Sequence, residues 1–146
     1  MLTDLVKKES VLVDVPAANW EEAVEKAARP LVEDGSIEPR YVDGMIRTVK
    51  ELGPYIVIAP GIAIAHARPE EGANKTALGL AILRDPVPFG NKANDPVRLV
   101  ITLAAPSNAQ HVKALGRMVE LLSDPSCSDG ILNAKSVDEV YSYLSA

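Results

Sequence analysis

Two runs of this chain, residues 76–83 and 97–104, are rich in Val, Ile and Leu and carry apolar side chains at both odd and even positions. Successive side chains of a strand point to opposite faces, so a strand of this kind must be covered from both sides. An antiparallel sheet with one face in water would alternate apolar with polar residues instead. The chain is therefore constrained to a sheet between layers, and the rest of the sequence supplies helices to cover it.

Val11, Val13 and Val15 alternate with Leu12 and Asp14, the period of a strand, and Pro16 ends the run. A short helix precedes it. Asn19 and Glu22 form a capping box for a helix bearing Trp20, Ala23, Val24, Ala27 and Leu31 at helical spacing, which Gly35 closes. Pro39 suits the first position of a second helix carrying Val42, Met45, Ile46, Val49 and Leu52, and Gly53-Pro54 stops it. Residues 55–58 and 62–66 read as short strands around the Pro60-Gly61 turn, and residues 85–96, with Pro86, Pro88, Gly90 and Pro96, as a loop. Ser107 and Gln110 cap a helix with Val112, Leu115, Met118, Val119 and Leu122 on one side. Pro125 and Gly130 break it, and Ser136 with Glu139 caps a last helix bearing Val140 and Leu144. The expected fold class is α/β, a mixed β-sheet flanked by helices on both faces. At 146 residues, without repeat or linker, one domain over residues 1–146 is expected.

Composition narrows the function classes. Only 4% of residues are aromatic, so the core must be built from Val, Ile, Leu and Ala. A net charge of −5 argues against nucleic acid, whose binding rests on Lys and Arg neutralising phosphates, and favours a basic protein partner. The single cysteine, Cys127, excludes an intramolecular disulfide and fits a reducing compartment. The N-terminus lacks the apolar stretch of a signal peptide, and no run approaches the roughly 20 apolar residues of a membrane span. A cytoplasmic location is expected.

Chemistry centres on two histidines. His66 ends the run Ile62-Ala63-Ile64-Ala65, at the strand end where ligands bind in helix-covered sheets. Ala63, Ala65 and Ala67 leave room for a close approach, and Arg68 adds a fixed positive charge two residues on. An imidazole with a pKa of about 6.5 is largely neutral at cellular pH and is a competent nucleophile. Sharing parity with Ile62 and Ile64, His66 also fits a core position. His111 falls in the first turn of the helix capped by Ser107, where unpaired N–H groups and the helix dipole favour an anion. It equally fits a solvent-exposed helix start. Other sites fail. There is no Gly-Lys-Ser/Thr phosphate loop, no Gly-x-Ser-x-Gly elbow and no His-Glu-x-x-His, although the histidines with Asp95 or Asp43 could compose a metal site. Cys127, in a polar break between helices, reads as a free thiol.

The words Gly53-Pro54-Tyr55 and His66-Ala67-Arg68-Pro69-Glu70-Glu71-Gly72 resemble those framing the phosphorylated histidine in the mannitol/fructose class of phosphotransferase-system enzyme IIA domains. The likeness is strongest to the ascorbate-type branch. It extends to Glu38-Pro39-Arg40-Tyr41, Asn94-Asp95-Pro96-Val97 and the junction from Ala104-Ala105 to His111. The resemblance implies that His66 is phosphorylated, that His111 is the second active-site histidine stabilising the phosphate, and that no metal or other cofactor takes part. Arg68 is the candidate for phosphate binding. The donor would be the histidine phosphocarrier protein and the acceptor a cysteine of enzyme IIB, with the membrane component IIC reached only indirectly. Import of an ascorbate-like sugar is implied, and a homo-oligomer is compatible. A regulatory module that signals through phosphorylation of His66 would carry the same residues. The chain departs from the family in having Ala65-His66-Ala67 where Pro-His-Gly is common. Arg47 lies near the helix position where some mannitol-type relatives carry an arginine, on a segment of different length, and no role is transferred to it.

Overall fold

The computed structural model describes residues 2–145, so the end residues of the expected domain, Met1 and Ala146, lie outside the described residues. In place of the short first helix, residues 2–4 and 8–10 form two single 3-10 turns, and β1 (Val11–Val15) follows. Next come α1 (Trp20–Glu33), α2 (Pro39–Leu52), β2 (Val57–Ala59), β3 (Ile62–Ala65), β4 (Ala77–Val87) and β5 (Val97–Ala104). The chain ends with α3 (Asn108–Leu122), α4 (Pro125–Leu132) and α5 (Val137–Leu144). The strands form one sheet in the order β1-β4-β5-β3-β2. β1 is parallel to β4 and β3 to β5, whereas β4 with β5 and β2 with β3 are antiparallel. The sheet is mixed, as expected, and the chain forms a single domain.

The helix starts follow their caps. Asn19 Oδ1 accepts from Glu22 N–H at 2.9 Å, and Ser107 Oγ accepts from Gln110 N–H at 3.2 Å. Gly35 and Gly53 take φ of +81° and +93° just past α1 and α2, a region that glycine enters without a Cβ penalty.

The two faces of the sheet are covered differently. α1 and α2 pack with Ala63, Ala65, Ala77, Ala81 and Ala104, while α3, α4 and α5 pack with Ile62, Ile64, Leu78, Leu80, Ile82, Leu99, Ile101 and Leu103. His66 continues the parity of Ile62 and Ile64, so its side chain belongs to the α3 side.

Three local expectations are corrected. α3 ends at Leu122, before Pro125, as expected, but a new helix opens there, with Asp124 Oδ1 accepting from Ser126 N–H at 3.0 Å and Pro125 at its first position, and Gly130 does not break it. Gly130 lies within α4, and the absence of a side chain there makes room for the Tyr143 ring, which a Cβ would approach to 2.2 Å. Residues 85–87 extend β4 instead of opening the loop, with Pro86 at a register shift that ends in the pair Val87–Val97. On α3 the buried line is Ala114 and Met118, four residues apart, and Val112 and Val119 fall off it with 67% and 44% exposure.

Candidate active site

β3 ends at Ala65, and His66 is the next residue, partly buried beside the start of α3. Its Nδ1 lies 3.1 Å from the carbonyl oxygen of Ile64. A carbonyl can only accept, so this bond requires the proton on Nδ1 and leaves the Nε2 lone pair unshared. Nε2 has no hydrogen-bond partner among the described residues.

His111 comes from the first turn of α3. Its ring centroid stands 5.0 Å from that of His66, with the planes 68° apart. Tyr55, just before β2, presents its ring edge-on to His66 from another direction, at 5.8 Å and 80°. Burial pulls the pKa of His66 below the ordinary imidazole value, and the nearby His111 charge acts in the same direction. The Ile64 bond opposes this in part. Burial also lowers the pKa of His111. Two imidazoles so close are thereby kept neutral near pH 7, the form in which one can act as a nucleophile and the other can donate a hydrogen bond.

The rings line a cavity of about 460 Å³ with Tyr55, Thr48, Leu52 and Arg68 on its walls. The cavity is open to solvent, and its walls mix the exposed apolar Leu52 (72%) and Tyr55 (46%) with Glu51, Glu71 and Asn108. Arg68 sits at the start of the 3-10 turn Pro69–Glu71, where its backbone N–H donates to Glu71 Oε2 at 3.3 Å. Arg47, on α2, is ion-paired with the other oxygen of Glu71. That carboxylate lies against Gly44, where a Cβ would approach it to 2.9 Å. Of the two arginines, Arg68 alone lines the cavity.

Tyr41, noted in the sequence only within a familiar word, is fully buried and bonds the residue after His66. Ala67 N–H donates to its hydroxyl at 3.0 Å, and the hydroxyl donates to Leu103 C=O at 2.9 Å. Burial pushes its pKa up to about 12, so the hydroxyl keeps its proton. Tyr41 and Tyr55 both stand in words that carry the family resemblance, but no local signal shows these contacts, which arise from tertiary packing.

Cys127 lies elsewhere, partly buried with Sγ 3.7 Å from Asp124 Oδ2, and burial together with that carboxylate raises its pKa. No three His, Cys, Asp or Glu side chains gather into a metal-binding group among the described residues. No described helix is long and apolar enough to cross a membrane.

Residues 4–146 match the family model for the phosphoenolpyruvate-dependent sugar phosphotransferase system, EIIA 2. This chain belongs to that EIIA family. EIIA components are phosphotransferases that carry phosphate as phosphohistidine. Among relatives of this EIIA chain, the ascorbate-specific PTS system EIIA component of Escherichia coli (strain K12) is 36% identical over 93% of this chain and 89% of its own. The solution structure of the mannitol-specific cryptic phosphotransferase enzyme IIA CmtB from Escherichia coli superposes with a TM-score of 0.91 at 32% identity, covering 99% of this EIIA and 97% of CmtB. The Escherichia coli mannitol enzyme IIA, solved in complex with phosphorylated enzyme IIB, gives a TM-score of 0.84 at 31% identity over 97% and 99% of the two chains. EIIA domains thus pair with an EIIB partner.

Proposed function

We propose that the whole chain, residues 1–146, acts as one cytoplasmic EIIA domain that accepts phosphate on Nε2 of His66 from the histidine phosphocarrier protein. It then passes the phosphate to a cysteine of enzyme IIB, for import of an ascorbate-like sugar. The observation that carries the proposal is the His66 ring, held at Nδ1 by Ile64 C=O with Nε2 unshared beside the His111 ring. In the first transfer the Nε2 lone pair attacks phosphorus while the N–P bond to the carrier's histidine breaks. The ring keeps its Nδ1 proton, and the positive charge that develops on it is stabilised by the Ile64 carbonyl. In the second transfer a cysteine thiolate attacks phosphorus, and His66 leaves as a neutral imidazole.

Such transfers rest on positioning and charge stabilisation. His111 would donate a hydrogen bond to the phosphoryl oxygens. The first N–H groups of α3, which have no acceptor within the helix, and Arg68 on the same cavity would add positive potential. Leu52 and Tyr55, exposed on the cavity wall, would offer apolar contact to a docking partner. The choice of an ascorbate-like sugar rests on the ascorbate-specific relatives.

The test is incubation with phosphoenolpyruvate, enzyme I, magnesium and the phosphocarrier, followed by mapping of the acid-labile phosphate. Label is expected on His66 and should be lost in a folded His66→Ala variant. Undiminished label in that variant would show the assignment to be wrong.

A further inference from the structure

β3 and β5 run parallel, with Ile62 opposite Leu99 and Ile64 opposite Ile101, and Leu99 N–H donates to Gly61 C=O at 3.0 Å. Bonds in a parallel ladder recur every second residue. Continued past the end of β3, this register would send the next bond from Ala67 N–H to Leu103 C=O. That rung is filled by a side chain. The Tyr41 hydroxyl accepts from Ala67 N–H at 3.0 Å and donates to Leu103 C=O at 2.9 Å, with Ala67 C=O also 3.1 Å away.

We infer that Tyr41 is a positioning residue for phosphoryl transfer, a hydroxyl wedge in the β3–β5 ladder that fixes the backbone turn presenting His66 to its cavity. This rests on His66 being the nucleophile. A direct N–H···O=C bond would zip the chain onto β5 through Ala67 and hold His66 within the strand. An inserted hydroxyl keeps both backbone groups satisfied while parting the two chains. Tyr41 reaches this point from α2 across the alanine-rich face, where Ala63, Ala65 and Ala67 share its core. His66 projects from the opposite face, so the wedge acts on the nucleophile through the backbone alone. The bond from Nδ1 to Ile64 C=O closes over only two residues and depends on the backbone at Ala65 and His66. Freeing Ala67 loosens one end of that short loop, and the ring no longer keeps its proton on Nδ1.

The test is Tyr41→Phe, which keeps the ring and removes the wedge. Two readouts are taken on folded protein: the ring nitrogen shifts of His66, and single-turnover phosphate uptake at saturating phosphorylated carrier. Wild type should show the Nδ1–H tautomer. Tyr41→Phe should show a mixture of tautomers and an uptake rate about 10- to 100-fold lower, the scale of loss from a small misplacement of a reacting group, with the carrier concentration for half-saturation unchanged. An unmoved tautomer or an unmoved rate in the folded variant overturns the inference, since a purely structural tyrosine would alter stability alone. Should Tyr41→Phe fail to fold, wild-type protein still decides. The Tyr41 hydroxyl proton should be slow to exchange and show a nuclear Overhauser contact to Ala67 N–H, and a fast-exchanging hydroxyl without that contact refutes the wedge. If phosphate maps to another residue, the proposed function fails, whereas the tautomer readout still reports the wedge's hold on His66.

Discussion

The two faces of the sheet divide the work of this molecule. On one, Ala63, Ala65, Ala81 and Gly79 offer almost no side chain, and α1 comes down so closely that a Cβ on Gly79 would meet Ala27 O at 3.5 Å and Ser10 O at 3.4 Å. On the other, Ile62, Ile64, Leu80, Ile101 and Leu103 fill the space beneath α3, α4 and α5. The close-packed face fixes the backbone, Tyr41 included. The bulky face carries α3, whose N-terminus brings His111 to His66. Rigid support and chemistry thus sit on opposite sides of the same four-residue strand.

The contrast is broken most severely by truncation on the bulky face. Ile101→Ala, fully buried in the central strand, should cost about 2–5 kcal/mol in urea unfolding, through lost burial plus a cavity. On the close face the sensitive direction is reversed. Gly79→Leu should cost about 1–3 kcal/mol by overpacking, whereas Gly79→Ala, whose Cβ contacts of 3.4–3.7 Å are ordinary, should stay within about 1 kcal/mol of wild type. Equal penalties for Ala and Leu at this position would erase the distinction between the faces.

A smaller effect is expected at the start of α3. His111→Ala should still take up phosphate on His66 but pass it to the IIB partner about 10-fold more slowly. That is less than the 10²–10³-fold of a water-excluded donor, because the site is open and water substitutes in part. His111→Gln should recover part of the rate, and wild-type rates in both variants would reduce His111 to an ordinary helix residue.

The smallest effect is pH dependence. His66 has its folded-state pKa lowered from 6.5 by burial, so at acid pH the unfolded chain binds the extra proton more readily. The stability this gives is complete above the unfolded pKa and is lost as pH falls through the folded one. Acid unfolding titrations should show wild type losing more stability than His66→Ala between neutral pH and the folded pKa. Phosphate uptake should stay level near neutrality and drop only on the acid side, and a drop beginning above pH 7 would contradict the lowered pKa.

Much of this was legible in the sequence because the signals are local. The two-faced apolar runs at 76–83 and 97–104 dictate a covered sheet, and Asn19, Ser107 and Ser136 mark helix starts that the structure keeps. Misreadings came where a residue's usual meaning was overridden by what lay beside it. Gly130 looked like a breaker but lies inside the helix that Asp124 caps and Pro125 opens, its missing Cβ leaving room for the Tyr143 ring. Val112 and Val119 looked like core and are exposed, since spacing alone does not say which apolar stripe of α3 turns inward. At the site, His66 could be picked out from its strand end and following arginine. His111 was marked too, by the helix start at Ser107, whereas the packing that joins the rings was not. His111 is 45 positions away along the chain, and the approach of Tyr41 and Tyr55 depends on how α2 and β2 pack.

The open rim around His66 has a kinetic consequence. On the proposed relay, one nitrogen behind one mouth must serve both the donor and the acceptor, so the two proteins cannot be seated together. Each must leave before the other arrives, and an excess of either unphosphorylated partner acts as an inhibitor of the other's turn. Throughput is then governed by how quickly complexes come apart, which favours a modest contact at Leu52 and Tyr55 over a broad, tight one.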